Sequence, residues 1–197
     1  MPKAKTIFSL WTDQGEIIAD PRFVEPFLWR EDLGFDTVRV ESRTISLPGF
    51  RKPFAIRSYT LEGFENEPGC FCVVDIECDG RLLLRMIQTG GWDKFHPDYS
   101  PTSDYYKLVR LDDSTYALLF VGFNYASEPG LLTIVILRGG QATLVYNKGR
   151  HITSLTENPL KIHTIRQFLE AVPESTHASL YEVIYQDGNL LKWRKGQ

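Results

Sequence analysis

Four times the chain passes through an apolar or alternating stretch, a short turn and a second such stretch: "CVVDIECDGRLLLRMI", "YYKLVRLDDSTYALLFVGF", "LLTIVILRGGQATLVYN" and "LYEVIYQDGNLLKW". The turns are Asp79-Gly80, Asp112-Asp113, Gly139-Gly140 and Asp187-Gly188. Asp-Gly and Gly-Gly reach positive φ at little steric cost, which is what the type I′ turn of a tight hairpin demands. Ser114 follows Asp112-Asp113 and lengthens that loop. Repeated hairpins commit a chain to antiparallel sheets, so the expected fold is mainly β, a β-sandwich or an open barrel. A small propeller is the alternative, although these turns are too unevenly spaced to mark a blade period.

The strands differ in how they are to be covered. "STYALLFVGF" and "LLTIVIL" are nearly continuous apolar runs, which suits strands buried on both faces. "TVRVESRTISL" alternates Val38 and Val40 with Arg39 and Glu41, so one of its faces is expected to meet water. "NPLKIHTIRQFLEAVPES" reads differently. Asn158 is a cap, Pro159 stands at the first helical position and Pro173 closes the segment. Leu160, Ile162, Ile165, Phe168, Leu169 and Val172 recur at helical spacing, which predicts one short α-helix near 159–172, packed on the sheet. "DPRFVEPFLWRED" has a similar start, but Pro26 cuts it short.

No Gly-, Pro- or Ser-rich linker divides the chain, and 197 residues with 43% hydrophobic content read as one β-rich domain over 1–197. A domain of that size buries enough surface to fold without disulfide or metal. Cys70, Cys72 and Cys78 agree: an odd number bunched in "CFCVVDIEC" is no disulfide framework, and small core side chains are the expected role. A net charge of −3 and only short basic runs, "NKGRH" and "KWRK", argue against a nucleic-acid partner. The longest apolar run, "GLLTIVIL", is strand-length and far short of the roughly 18 residues a membrane span needs. "MPKAKTIFSLW" does not read as a signal peptide, and the compartment is left open.

The stretch "TGGWDKFHPDYSPTSDYY", residues 89–106, breaks the strand pattern with rings set among polar groups. Trp92, Phe95, Tyr99 and Tyr105 offer apolar faces, and Asp93 and His96 offer hydrogen bonds beside them. Rings with polar neighbours suit a sugar face, another small molecule or a protein anchor. The loop "GFNYASEPG" adds Asn124 and Tyr125. If 106–111 and 115–123 form a hairpin, both loops leave from its open end and form one mouth. The same residues allow a structural role, in which Trp92 and Phe95 fold back to cap the core.

The expected function is thus a non-catalytic binding or interaction domain for a glycan, a small molecule or a protein partner, with no cofactor and no metal. No Gly-x-Ser-x-Gly elbow, phosphate-binding glycine loop, His-Glu-x-x-His or Cys-x-x-Cys stands in the chain. The alternative is a metal-dependent or acid–base hydrolase using Asp93, His96 and Asp98, since imidazole and carboxylates can share an ion or pair as base and orienting group. A structural subunit is the third reading.

Overall fold

The computed structural model describes residues 6–7, 11–12, 15–16, 27–28, 38–61, 71–93, 105–124, 128–157, 160–165, 181–186 and 189–195. Among these residues every regular element is a strand and every pairing is antiparallel. Four short strands come first: β1 (Thr6–Ile7), β2 (Trp11–Thr12), β3 (Gly15–Glu16) and β4 (Phe27–Leu28). The next four form a meander: β5 (Val38–Ile45), β6 (Phe54–Leu61), β7 (Phe71–Cys78) and β8 (Arg81–Asp93). Then come β9 (Lys107–Arg110), β10 (Thr115–Asn124), β11 (Glu128–Arg138) and β12 (Gln141–Lys148). The last sheet runs β13 (His151–Glu157), β14 (Leu160–Ile165), β15 (Tyr181–Gln186) and β16 (Asn189–Lys195) in that order.

The local rules behind the hairpins are met. Asp79 and Gly80 both have positive φ, 54° and 73°, at the β7–β8 turn. Gly139 and Gly140, at 58° and 74°, do the same between β11 and β12. Both are the type I′ geometry that matches strand twist. The β9–β10 loop is longer, as its serine implies: the Ser114 amide donates to Asp112 Oδ1 at 2.8 Å, a side chain standing in for a ladder bond.

Three layers result. One face of β6, β7 and β8 (Phe54, Ile56, Val74, Ile76, Leu84, Met86) packs against Leu118, Phe120, Val135 and Leu137 of the middle sheet. The other face of that middle sheet (Ala117, Leu119, Leu132, Ile134) packs against Ile152, Leu160 and Ile162 of β13 and β14. The apolar runs of β10 and β11 are therefore continuous because successive residues serve two cores. By hydrogen bonding, β5 to β12 belong to one ten-stranded sheet whose two parts face each other across the first core. The β13–β16 sheet covers the second core, as in a sandwich. The described sheets form no closed barrel. A register shift between Ile134 and Val135 sends Leu144 to one core and Tyr146 to the other.

The predicted helix is corrected over its first half: Leu160–Ile165 is strand β14, hydrogen-bonded to β13 on one side and β15 on the other. Leu160, Ile162 and Thr164 are all buried, a period of two that coexists with the helical spacing in the same residues. With a strand on each flank, the ladder bonds and the β-branched Ile162 and Thr164 favour the pleat. Glu157 and Leu160 are direct partners, flanking Asn158 and Pro159. Those two residues and 166–172 lie outside the described residues.

β5 has its expected wet face, on a side the alternation alone did not specify. Arg39, Glu41 and Arg43 pair with Thr60, Ser58 and Ile56, so the charged row shares a side with the core-facing Ile56 and Phe54. Val40 is on the opposite side and is 47% exposed. The polar face meets water as expected, yet it does so on the inner side of the sheet. Arg39 and Arg43 are about half exposed or more there.

Candidate functional site

The front and middle layers meet at the end of β8. Gly91 has a positive φ of 69° that re-aims the strand. Trp92 then pairs with Phe71 of β7 and with Gly122 of β10, while Asp93 pairs with Val121. The approach is close. A Cβ on Gly122 would collide with the Gly91 carbonyl oxygen and come within 2.7 Å of Trp92 Cα, so only glycine fits.

The Trp92 side chain is 0% exposed and lies 6.4 Å from the ring of Phe120. Its Nε1–H donates to Thr133 Oγ1 at 2.9 Å, and the Thr133 hydroxyl donates in turn to Asn147 Oδ1 at 2.7 Å. One buried polar chain thus links β8, β11 and β12. The Trp92 ring offers no open face for stacking. Tyr105 and Tyr106 are also buried, with Tyr106 6.0 Å from the Phe120 ring. Asp93 is half-buried.

The topology brings four of the eight sequence-derived candidates to one edge. β10 pairs with β8 at Val121–Gly122 and with β9 at Tyr116–Leu119, along the same flank. Residue 93, where the first loop leaves, and Tyr105, where it returns, therefore border one stretch of β10. Asn124 closes the β10–β11 hairpin opposite Glu128. It stands three residues from Val121, or about 10 Å along an extended strand. The β9–β10 hairpin, on which the expected placement of the two loops depends, is present. Phe95, His96, Tyr99 and Tyr125 lie outside the described residues.

Sequence reading missed the groups that hold this junction: Gly91, Gly122, Thr133 and Asn147. A lone hydroxyl inside "LLTIVIL" is a usable signal, since a buried polar group in an apolar strand needs a partner.

It also missed a charged cluster on the outer face of the front sheet. Asp75, 1% exposed, accepts from Arg85 Nε at 2.7 Å and Arg85 Nη2 at 2.6 Å, a bidentate fork. Tyr59 Oη donates to Asp75 Oδ2 at 2.9 Å. Arg57 and Glu77 form a second pair beside it at 3.1 Å. Burial first, then the bond to Asp75 and its charge, holds the Tyr59 hydroxyl above its ordinary value of 10.0. The Asp75 hydrogen bonds likewise raise Arg85, which stays charged. The charges within the cluster are balanced, and the fork satisfies both carboxylate oxygens, so its chemistry is that of a structural ion pair. Among the described residues, no three His, Cys, Asp or Glu side chains converge as metal ligands would. Cys72 is buried, which pushes its thiol up and leaves it a poor nucleophile.

Comparison with known proteins adds nothing to the geometry: no protein-family model, no curated protein and no solved structure matches this chain.

Proposed function

We propose that this chain is a non-catalytic binding domain whose ligand is met at the end of the sandwich where β8 crosses to β10. The single observation that supports the reading is the Trp92–Gly122 pairing. It sets the departure points of two aromatic-bearing loops on one short stretch of β10. A glycan, a small apolar–polar molecule or a protein side chain is the ligand class that rings among carboxylate and amide groups would take. In this reading Trp92 and Tyr105 form a rigid floor, and Asp93, Phe95, His96, Tyr99, Asn124 and Tyr125 do the touching.

The test is thermal unfolding of the whole chain against panels of soluble glycans and divalent metals. A ligand that binds only the native state raises the midpoint, by roughly 2.7 kcal/mol of stability at a hundredfold excess over its Kd. Tyr99→Ala and Tyr125→Ala are expected to abolish a glycan shift while leaving the ligand-free midpoint within a degree or two. A shift produced by metal, and lost in His96→Ala, would replace this reading with the hydrolase. A glycan shift that survives both tyrosine variants would remove the loops from the site.

A further inference from the structure

The free edge of the front sheet carries a pattern that answers itself. β5 pairs with β6 on one side, and among the described residues no strand pairs with its other side. Such an edge presents unpaired backbone N–H and C=O groups to any strand that can align with it. Edges are commonly guarded by charges of one sign, which repel an incoming copy. Here the inner-side row is Arg39, Glu41, Arg43, alternating in sign.

We infer that β5 is a self-association edge, and that its occupant is the β5 strand of a second copy, laid antiparallel across a two-fold axis at Ser42. That register opposes Glu41 to Arg43 of the second copy twice over. It also opposes Arg39 to Ile45, and Val40 to Thr44. Directly opposed residues in antiparallel strands have Cβ atoms about 5 Å apart, close enough for an ion pair. A two-fold axis at Glu41 would instead set Glu against Glu and Arg39 against Arg43, so the charges select among registers. Glu41 is loosely held on its own strand, 3.9 Å from Arg39 and 3.8 Å from Arg43, both at the outer limit of an ion pair. A cross-strand arginine gives its carboxylate a closer partner.

The other side of the strand is compatible. Val40, Ser42 and Thr44 are uncharged and suited to a pleated surface. Val40 is the large hydrophobic side chain left exposed among the described residues, and the added strand covers it. A closed isologous pair joins two front sheets into one and uses up the edge, which stops further growth at that site.

Sedimentation of the whole chain over a range of concentrations, with charge-swapped variants, tests this. Wild type is expected to show a reversible monomer–dimer equilibrium. Glu41→Arg alone, and Arg39→Glu/Arg43→Glu alone, are each expected to be monomeric. Mixing the two is expected to restore a heterodimer, because each strand then carries one sign. Ser42→Cys keeps the charge pattern and is expected to cross-link to itself on mild oxidation, whereas wild type does not. A wild type that stays monomeric throughout overturns the inference. So do variants that dimerise like wild type, or a dimer whose Ser42→Cys form does not cross-link.

Discussion

Trp92 and Thr133, on strands of different layers, are joined by a hydrogen bond of 2.9 Å that no water reaches. Replacing Thr133 by its isostere valine removes two buried hydrogen bonds, one from the indole N–H and one to the Asn147 amide oxygen. Thr133→Val is therefore expected to destabilise by about 2–3 kcal/mol, the cost of two lost buried hydrogen bonds. Thr133→Ser keeps the hydroxyl and is expected to cost about 1 kcal/mol for its lost methyl. Urea unfolding of both variants checks the order. A Thr133→Val protein as stable as Thr133→Ser would mean the chain Trp92–Thr133–Asn147 contributes only packing.

Gly122 predicts a sharper loss. The atoms its missing Cβ would strike are backbone, and neither can rotate away. Gly122→Ala is expected to cost at least about 3 kcal/mol, the upper end for overpacking, because β8 and β10 must part to admit it. Gly80→Ala, at a turn with open space around it, pays only for its positive φ of 73°. That substitution is expected to cost about 1 kcal/mol. Comparing the two melts separates collision from backbone strain.

Asp75 and Arg85 act as a unit. Arg85 is 41% exposed but Asp75 only 1%, so removing the arginine leaves a carboxylate with little access to water. Arg85→Ala is expected to cost about 3 kcal/mol, the low end for breaking a buried pair. The double variant Asp75→Val/Arg85→Met removes both charges and is expected to recover most of that loss. Should the double variant be no better than Arg85→Ala, the cluster would be needed for more than charge balance.

The raised Tyr59 hydroxyl gives a pH signature. Its folded-state pKa lies above the unfolded value of 10.0, so the native state keeps a proton that the unfolded chain releases. Its contribution is complete below pH 10 and declines as pH rises through the folded value. Tyr59→Phe is expected to flatten that alkaline limb relative to wild type, at the cost of one hydrogen bond to Asp75 below it. Denaturant titrations at a series of alkaline pH values, on both proteins, read the difference.

Turn chemistry and double-sided burial were legible in the residues. Asp79-Gly80 and Gly139-Gly140 can do little else between apolar runs, and "LLTIVIL" has no polar face to give to water. β14 was misread because Leu160, Ile162 and Ile165 satisfy both periods, and a proline at 159 suits a helix start as well as a hairpin corner. Which period wins depends on whether β13 and β15 lie alongside, and that is information from elsewhere in the chain. The same limit hid Asp75 and Arg85. Each stands inside an apolar run, "CVVDIEC" and "LLLRMI", and only the β7–β8 register shows that they face one another. At the candidate site, the sequence marked the loops but not the glycine pair and the buried hydroxyl that anchor their roots.

β8 is a member of two layers at once, pairing with β7 along its length and with β10 at its end. That dual membership removes any seam along which the front sheet could peel from the middle one. Opening either layer breaks the shared strand, so amides of Leu84 in β8 and Leu118 in β10 should exchange with solvent at a common, slow limit set by whole-molecule unfolding. Dissolution of this part of the molecule is then a single cooperative event rather than a loss of sheets in turn.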